Sequence, residues 1–455
     1  MTKNILEIPE KGLSENHIME NLKEELNNED IDPWSGRSFG LCYLAGKKHT
    51  DLVRKAYNEY FVTNGLNPMA FPSLRTMETE VVAMSAWLLN GNRNTTGNMT
   101  TGGTESILMA VKAHRDYYRD KKDISDPELI LPATAHPAFD KAAHYFDIKT
   151  IHIPIREDYR VNVEEMHEKI SENTILLVGS APCYPYGVID PIGKIASLAK
   201  EYNIGCHVDS CLGGFMLPWV EKAGYPLYCE WDFRVDGVTS ISADLHKYGY
   251  AAKPASVVLF ESDKLRKYEF YVYSDWCGGI YGTPNILGTR PGGSFSAAWA
   301  ALKYQGQEGY ITICKEVMKT AKKFIKGINN IDGLHVMGEP DMCVYAYTLD
   351  EELNLDFFKL LDLMKQKGNW TINRMQNPPA AHHMTSRVHM PIVETFLDDL
   401  AWAFEELQKL PEHKKVKGQA AMYNMMATID DKEQINDIVT DILLKQYTFD
   451  PKKRK

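Results

Sequence analysis

The sequence predicts an α/β protein whose larger part is built on a mostly parallel sheet, and three observations carry that prediction. Short, nearly continuous apolar runs recur between residues 129 and 260, and helical patterns separate them. Runs apolar on both faces suit strands covered by helices from both sides, as parallel strands are. A second region past residue 326 mixes short strands and helices on a smaller scale.

Taken in order, residues 1–75 read as an N-terminal arm: an acidic helical start, the turn Pro33-Trp34-Ser35-Gly36, and a helix over Thr50–Phe61. Residues 76–325 read as the large domain. Leu74, Met77, Val81, Met84 and Leu88 fall near one helical face as it begins. Strands are expected at Leu129–Leu131, Thr150–Ile153, Ile175–Gly179, Gly205–Asp209, Gly237–Ser242 and Ser256–Phe260, with a helix over Pro191–Glu201 among them. Residues 326–455 read as a small α/β domain, with strands at His335–Met337, Val344–Thr348 and Trp370–Met375 and helices at Leu355–Lys367 and Val393–Leu410.

Composition narrows the function. The 455 residues are 44% hydrophobic and 25% charged, as in ordinary globular proteins, and carry a net charge of −10. That balance argues against nucleic-acid binding, which needs clustered Lys and Arg; the one dense basic run is Pro451–Lys455. No apolar stretch approaches the roughly 18–20 residues that span a bilayer. The N-terminus has no apolar core of a signal peptide. The eight cysteines show neither C-x-x-C nor zinc spacing, so reduced, mostly buried thiols, no metal and a cytoplasmic location are expected.

Four features occur along the large domain in an informative order. The first is Thr100-Thr101-Gly102-Gly103-Thr104-Glu105-Ser106 before a helical run, where small residues leave backbone N–H groups and a positive dipole end free for a phosphate. Alone, a plain glycine N-cap reads the same way. The second is His136 in Ala135-His136-Pro137, between strand and helix, where an imidazole can cover an aromatic ring. The third is Asp209 at the end of an apolar strand, where open α/β sheets bind ligands; a carboxylate there can pair with a pyridine nitrogen and keep it protonated. The fourth is His246-Lys247, again just past an apolar strand, 38 residues after Asp209. An amine that forms a Schiff base must be partly deprotonated, and burial lowers a lysine pKa. Phosphate cup, ring cover, pyridinium partner and Schiff-base amine together indicate pyridoxal 5′-phosphate (PLP), with Lys247 as its lysine.

The run Ser240-Ile241-Ser242-Ala243-Asp244-Leu245-His246-Lys247-Tyr248-Gly249-Tyr250-Ala251 resembles the cofactor-lysine segment of the sphingosine-1-phosphate lyases, within the group II PLP decarboxylase superfamily. The resemblance extends through Gly-Gly-Thr-Glu-Ser (102–106), Ala-Phe-Asp-Lys-Ala-Ala (138–143), Gly-Val-Ile-Asp-Pro (187–191), His-Val-Asp-Ser-Cys-Leu-Gly-Gly-Phe (207–215), Arg-Pro-Gly-Gly (290–293) and Met-Tyr-Asn-Met (422–425). It implies the aspartate-aminotransferase-like fold (type I of the PLP-dependent transferases) and a homodimer with shared active sites. The implied activity is retro-aldol cleavage of the C2–C3 bond of a phosphorylated sphingoid base, giving a long-chain aldehyde and phosphoethanolamine. The partner is then a lipid phosphate.

The resemblance also implies roles at matching positions. Lys247, Tyr43, Tyr186 and Tyr423 would be catalytic. Gly103, Thr104, His136, Asp209, His246 and Lys247 would hold the cofactor, with Gly292 and Gly293 in a loop donated across the dimer. Asn67, Lys253 and Tyr43 would hold the substrate phosphate, Lys253 being the second lysine six residues after the first. One departure stands out. The family pattern Asn-Pro-Leu-His-Pro-Asp-x-Phe-Pro is here the shorter Asn67-Pro68-Met69-Ala70-Phe71-Pro72, without the histidine. Losing one charge-assisted hydrogen bond to a phosphate costs about 1.5–3 kcal/mol. An amino-acid decarboxylase of group II would share every cofactor residue, and a non-catalytic relative would show a broken set.

Overall fold

The computed structural model describes residues 6–28, 31–411, 418–427, 429 and 431–449, so the basic run at 451–455 lies outside the described residues. Three helices, α1 (Glu15–Asn28), α2 (Lys47–Glu59) and α3 (Pro72–Leu88), precede the large sheet. The sheet then forms from alternating units: β1 (Thr96–Thr100), α4 (Gly103–Lys122), β2 (Glu128–Pro132), α5 (Ala138–Phe146), β3 (Lys149–Ile153), α6 (Val163–Glu168) and β4 (Thr174–Ser180). It continues with α7 (Ile192–Glu201), β5 (Gly205–Asp209), α8 (Leu217–Lys222), β6 (Ser240–Ala243) and β7 (Ser256–Phe260).

These seven strands lie in the order β1-β7-β6-β5-β4-β2-β3. Pairing is parallel from β6 through β3, and β7 runs against both its neighbours. Every residue of β2, β4, β5 and β7 is buried, which is why those segments read as unbroken apolar runs. The register sets Asp209 beside Ser242, so the carboxyl ends of β5 and β6 finish level.

Beyond the sheet come α9 (Asp263–Arg266), the exposed hairpin β8 (Tyr271–Tyr273) and β9 (Tyr281–Thr283), and the long α10 (Gly292–Asn329), which departs from helical geometry at Gly306. A second, antiparallel sheet follows, with β10 (Leu334–Met337), β11 (Val344–Leu349), β12 (Asn373–Met375) and β13 (Ala380–Met384) in the order β10-β11-β13-β12. The helices α11 (Phe357–Gly368), α12 (Val393–Lys409), α13 (Ala420–Ala427) and α14 (Lys432–Gln446) complete the chain.

Several expectations need correction. β1 reads as polar, yet it pairs along its whole length with β7, and its Asn98 is buried because Glu269 accepts its amide hydrogen. β6 begins at Ser240 rather than Gly237; Gly237, at φ +103° and packed on the Ala196 carbonyl, belongs to the turn. β13 was not expected, because Ala-Ala-His-His-Met has no alternation to see. Trp370 stands before β12, buried with its indole N–H donating to Asp399. Within the N-terminal arm, residues 36–75 pack onto the rest of the fold, whereas α1 is exposed along its described length. α2 packs along α10, Phe39 sits between His383 and His389, and α3 runs across residue 75.

Candidate active site

The segments that follow β1, β5 and β6 converge at one edge of the large sheet. After β1 the chain turns at Gly102, whose φ of +136° lets it cap α4. The turn is tied down: Thr100 Oγ1 lies 2.6 Å from Ser106 Oγ, and the Glu105 carboxylate accepts from Thr101 N–H (2.6 Å) and Oγ1 (2.7 Å). A Cβ on Gly103 would stand 2.7 Å from Cys211 Sγ and 2.9 Å from Asp244 Oδ2, so α4 begins in direct contact with the ends of β5 and β6. Gly102 faces His246 Cε1, and Thr104 is exposed on the first turn of α4.

Asp209 closes β5. Its Oδ1 accepts from Cys211 N–H and Ser242 Oγ, both at 3.1 Å, while Oδ2 takes no hydrogen bond among the described residues. After β6, Asp244 is buried and its Oδ2 lies 3.0 Å from Lys247 Nζ and 3.7 Å from His246 Nε2. His246 Nδ1 meets the Ala255 carbonyl at 2.7 Å, and burial holds the imidazole below its ordinary pKa against the pull of Asp244.

Lys247 departs from expectation. Burial pulls its pKa down, but the Asp244 carboxylate, helped by Cys211 and Tyr43, outweighs burial and holds the ammonium well above its ordinary value. The lysine is therefore charged in the bare protein. Asp244 is the residue that sequence reasoning missed, having read it only as part of a polar strand end.

Tyr43 reaches the same cluster from the N-terminal segment. Its hydroxyl donates to Met384 Sδ (2.9 Å), its ring meets Tyr248 edge-on at 5.1 Å, and burial raises its pKa against the charge of Lys247. Of the two tyrosines in Tyr184-Pro185-Tyr186, it is Tyr184 that interacts electrostatically with Lys247, and it stacks on the buried His382 at 4.0 Å. Tyr186 points elsewhere. It packs on Tyr159 at 4.3 Å in a separate cluster with Cys183 and Met337, where burial first, and then Cys183 and Tyr159, push it up to about 12. Tyr423 meets Phe358 (5.1 Å) and Arg374 (5.5 Å), and no contact among the described residues links it to Lys247.

The remaining expected residues scatter. His136 is exposed at the start of α5, its Nδ1 accepting from Ala138 N–H at 3.1 Å. Lys253 is exposed and its ammonium donates to the Leu41 carbonyl, two residues from Tyr43. Asn67 is exposed, accepts from Met69 N–H at 2.9 Å, and lines a cavity of about 230 Å³ beside Glu78 and Arg290. Gly292 and Gly293 open α10 under tight packing, since a Cβ would stand 2.0 Å from Thr63 Oγ1 and 2.7 Å from the Tyr57 ring respectively. Within one chain, both glycines are held in close packing.

The model of the pyridoxal-dependent decarboxylase conserved domain matches residues 2–350. Sphingosine-1-phosphate lyase 1 of Rattus norvegicus is 43% identical over 98% of this chain and 77% of its own length. The Dictyostelium discoideum lyase is 40% identical over 98% of this chain and 83% of its own. This chain belongs to the sphingosine-1-phosphate lyase family. A solved family member, from Burkholderia pseudomallei, superposes with a TM-score of 0.85 at 36% identity, covering 94% of this chain and 98% of that one. A Lactobacillus brevis glutamate decarboxylase shares the fold at 20% identity and a TM-score of 0.76.

The family's cofactor is PLP, and the residues of this chain fit it. Asp209 keeps one carboxylate oxygen open at the sheet edge, the glycine turn before α4 leaves no side chain over its first N–H groups, and Lys247 offers the amine. The chain is that of a PLP-dependent lyase, and the decarboxylases share its wider superfamily.

Proposed function

We propose that the protein cleaves the C2–C3 bond of a phosphorylated sphingoid base, or a closely similar amino alcohol phosphate, by retro-aldol chemistry, releasing a long-chain aldehyde and phosphoethanolamine. Kinship with lyases of that name over nearly the whole chain carries this reading. Bound PLP supplies the electron sink for the breaking bond. Lys247 provides the amine that anchors it, and Asp244 holds the lysine proton at 3.0 Å. Tyr43, kept neutral by burial, stands within electrostatic reach of Lys247 with its hydroxyl proton donated to Met384 Sδ, and Tyr184 interacts with the same lysine. These two phenols are the groups best placed to hold or move a proton at a substrate oxygen. Lys253, next to the Tyr43 segment, offers a cation for the substrate phosphate, with Asn67 as a polar neighbour in the assembled enzyme.

The group II decarboxylase is the alternative; Lys253 favours the lyase, and the Met69-Ala70 segment without the family histidine weakens that preference. Incubation of purified protein with a sphingoid-base phosphate, and separately with aromatic and acidic amino acids, separates the two by product mass spectrometry. Aldehyde from the first is expected; carbon dioxide from the second without aldehyde overturns the lyase reading. Lys247→Ala abolishes either activity together with the visible absorbance of bound cofactor.

The working unit is a homodimer in a reducing, cytoplasmic setting. Supporting the dimer, the β8–β9 hairpin and the residues beside it expose apolar side chains, with Trp276 at 55%, Ile280 at 82% and Val62 at 86%. In such an assembly the Arg290–Gly293 segment and Asn67 lie close to that surface and Tyr423 enters from the small domain. Supporting the compartment, all eight cysteines are free thiols.

A further inference from the structure

The C-terminal half of α10 buries Cys314, Val317, Met318, Ala321, Phe324 and Ile328 along one side. Lys315, Lys319, Lys322, Lys323 and Lys326 recur along the other at helical spacing, and all five are exposed. They line a shallow hollow of about 520 Å³ whose remaining wall is Ala223 and Tyr225, just past α8. None of the five pairs with a carboxylate within 4.0 Å among the described residues, and no acidic side chain lines the hollow. Elsewhere in this chain of net charge −10, cations such as Lys112 and Arg234 sit beside carboxylates.

The surroundings are aromatic as well as basic. Lys322 lies 4.4 Å over the Tyr225 ring, and Lys222 of α8 lies 4.4 Å over Trp87, whose indole is 54% exposed. Cations on long stems beside Trp and Tyr suit the boundary between lipid headgroups and water, where the ring enters the headgroup layer and the ammonium meets phosphate. An acidic protein is repelled by an anionic bilayer except through a face of opposite sign.

We propose that the Lys315–Lys326 face of α10, with Tyr225 and Trp87, docks the enzyme on anionic lipid surfaces. The inference rests on the reading of a lipid phosphate as substrate for its purpose. The docking itself is independent of that reading, because it is read by binding and not by turnover. The occupant is an anionic phospholipid headgroup layer, which engages the ammonium groups at its phosphates and the amphipathic indole at its boundary with water; a nucleic acid or an acidic protein is an outcome that the test separates.

The test is co-sedimentation of the full-length holoenzyme with vesicles of phosphatidylcholine alone and of phosphatidylcholine mixed with phosphatidylglycerol. Binding to the mixed vesicles alone, weakened by added salt, is expected. The triple variant Lys315→Glu, Lys319→Glu, Lys323→Glu should lower that binding by about tenfold or more, each lysine contributing at the membrane surface. Among the described residues these three side chains make no hydrogen bond or ion pair, so the variant's thermal midpoint and its turnover of a dispersed short-chain substrate should match the parent. A separate Trp87→Ala variant should weaken vesicle binding at unchanged salt dependence. Equal sedimentation with both vesicle types, or retention on heparin or an acidic peptide without vesicle binding, overturns the proposal. If vesicle binding holds while no aldehyde forms from any sphingoid-base phosphate, the docking stands and the substrate reading falls.

Discussion

Asp244 and Lys247 form the buried contact on which the site turns. A carboxylate 3.0 Å from an ammonium out of bulk water stabilises both charges, and here it reverses the effect of burial on the lysine. Asp244→Asn should lower the Lys247 pKa by more than about one unit. The cofactor-free protein should then take up PLP at lower pH than the parent, followed by absorbance across a pH series. The sign for stability follows. A lysine raised in the folded state adds stability below its unfolded pKa of about 10.4 and loses it only on further alkalisation. The variant should therefore lose about 1–3 kcal/mol throughout the neutral range, measured by denaturant unfolding. An unchanged uptake profile would remove Asp244 from the account. Lys247 and Asp209 were legible in the sequence because Asp209 ends one apolar strand and Lys247 lies just past another. Asp244 was not, since its role depends on which way a side chain turns, and the same limit hid the difference between Tyr184 and Tyr186.

Among the elements, the start of α4 is the tightest joint. Gly103 admits no side chain because the Cys211 thiol and the Asp244 carboxylate already occupy the place of a Cβ. Gly103→Ala must push Asp244 away from Lys247 or lift α4 off the sheet. It should destabilise by about 1–3 kcal/mol and weaken PLP retention, read by thermal unfolding and by dialysis of the holoenzyme. Retention unchanged from the parent would show that α4 does not bear on the cofactor. The legibility of elements followed burial. β5 and β7 were found residue for residue, as apolar runs bounded by turns. β1 and β13 were not, because their polar side chains are buried by partners distant in sequence: Glu269 for Asn98, and the stacked rings of Tyr184 and Phe39 for His382 and His383.

Over the whole molecule, buried titratable groups set the response to acid. Burial holds His114 at about 4 and His207 and His382 at about 3, so none accepts a proton in the folded chain at mildly acidic pH. Unfolded histidines titrate near 6.5, so below that pH the unfolded chain binds protons the native one refuses, and stability falls. Asp190, raised by burial to about 6, acts in the opposite sense between about 4 and 6. His49, His246, His383 and His389 are likewise held low by burial, while Asp341, Glu261 and Glu269 are held high beside Asp190, so more groups lose than gain and stability falls on acidification below pH 6. Calorimetry between pH 7 and 5 should show the midpoint dropping; a midpoint rising on acidification would contradict the burial of these imidazoles. The dimer is tested at the same scale. Trp276→Asp with Ile280→Asp should yield a folded monomer of greatly reduced activity by sedimentation and assay, whereas a fully active monomer would refute shared sites.

The level pairing of Asp209 with Ser242 has a practical consequence. A slip of one residue between β5 and β6 would turn their side chains to opposite faces, parting Asp209 from Asp244 and Lys247 while leaving most of the apolar interior satisfied. Compactness and helical content would barely register such an error. Cofactor colour would, which makes its recovery after dilution from denaturant a gauge of how many molecules have aligned these two strands.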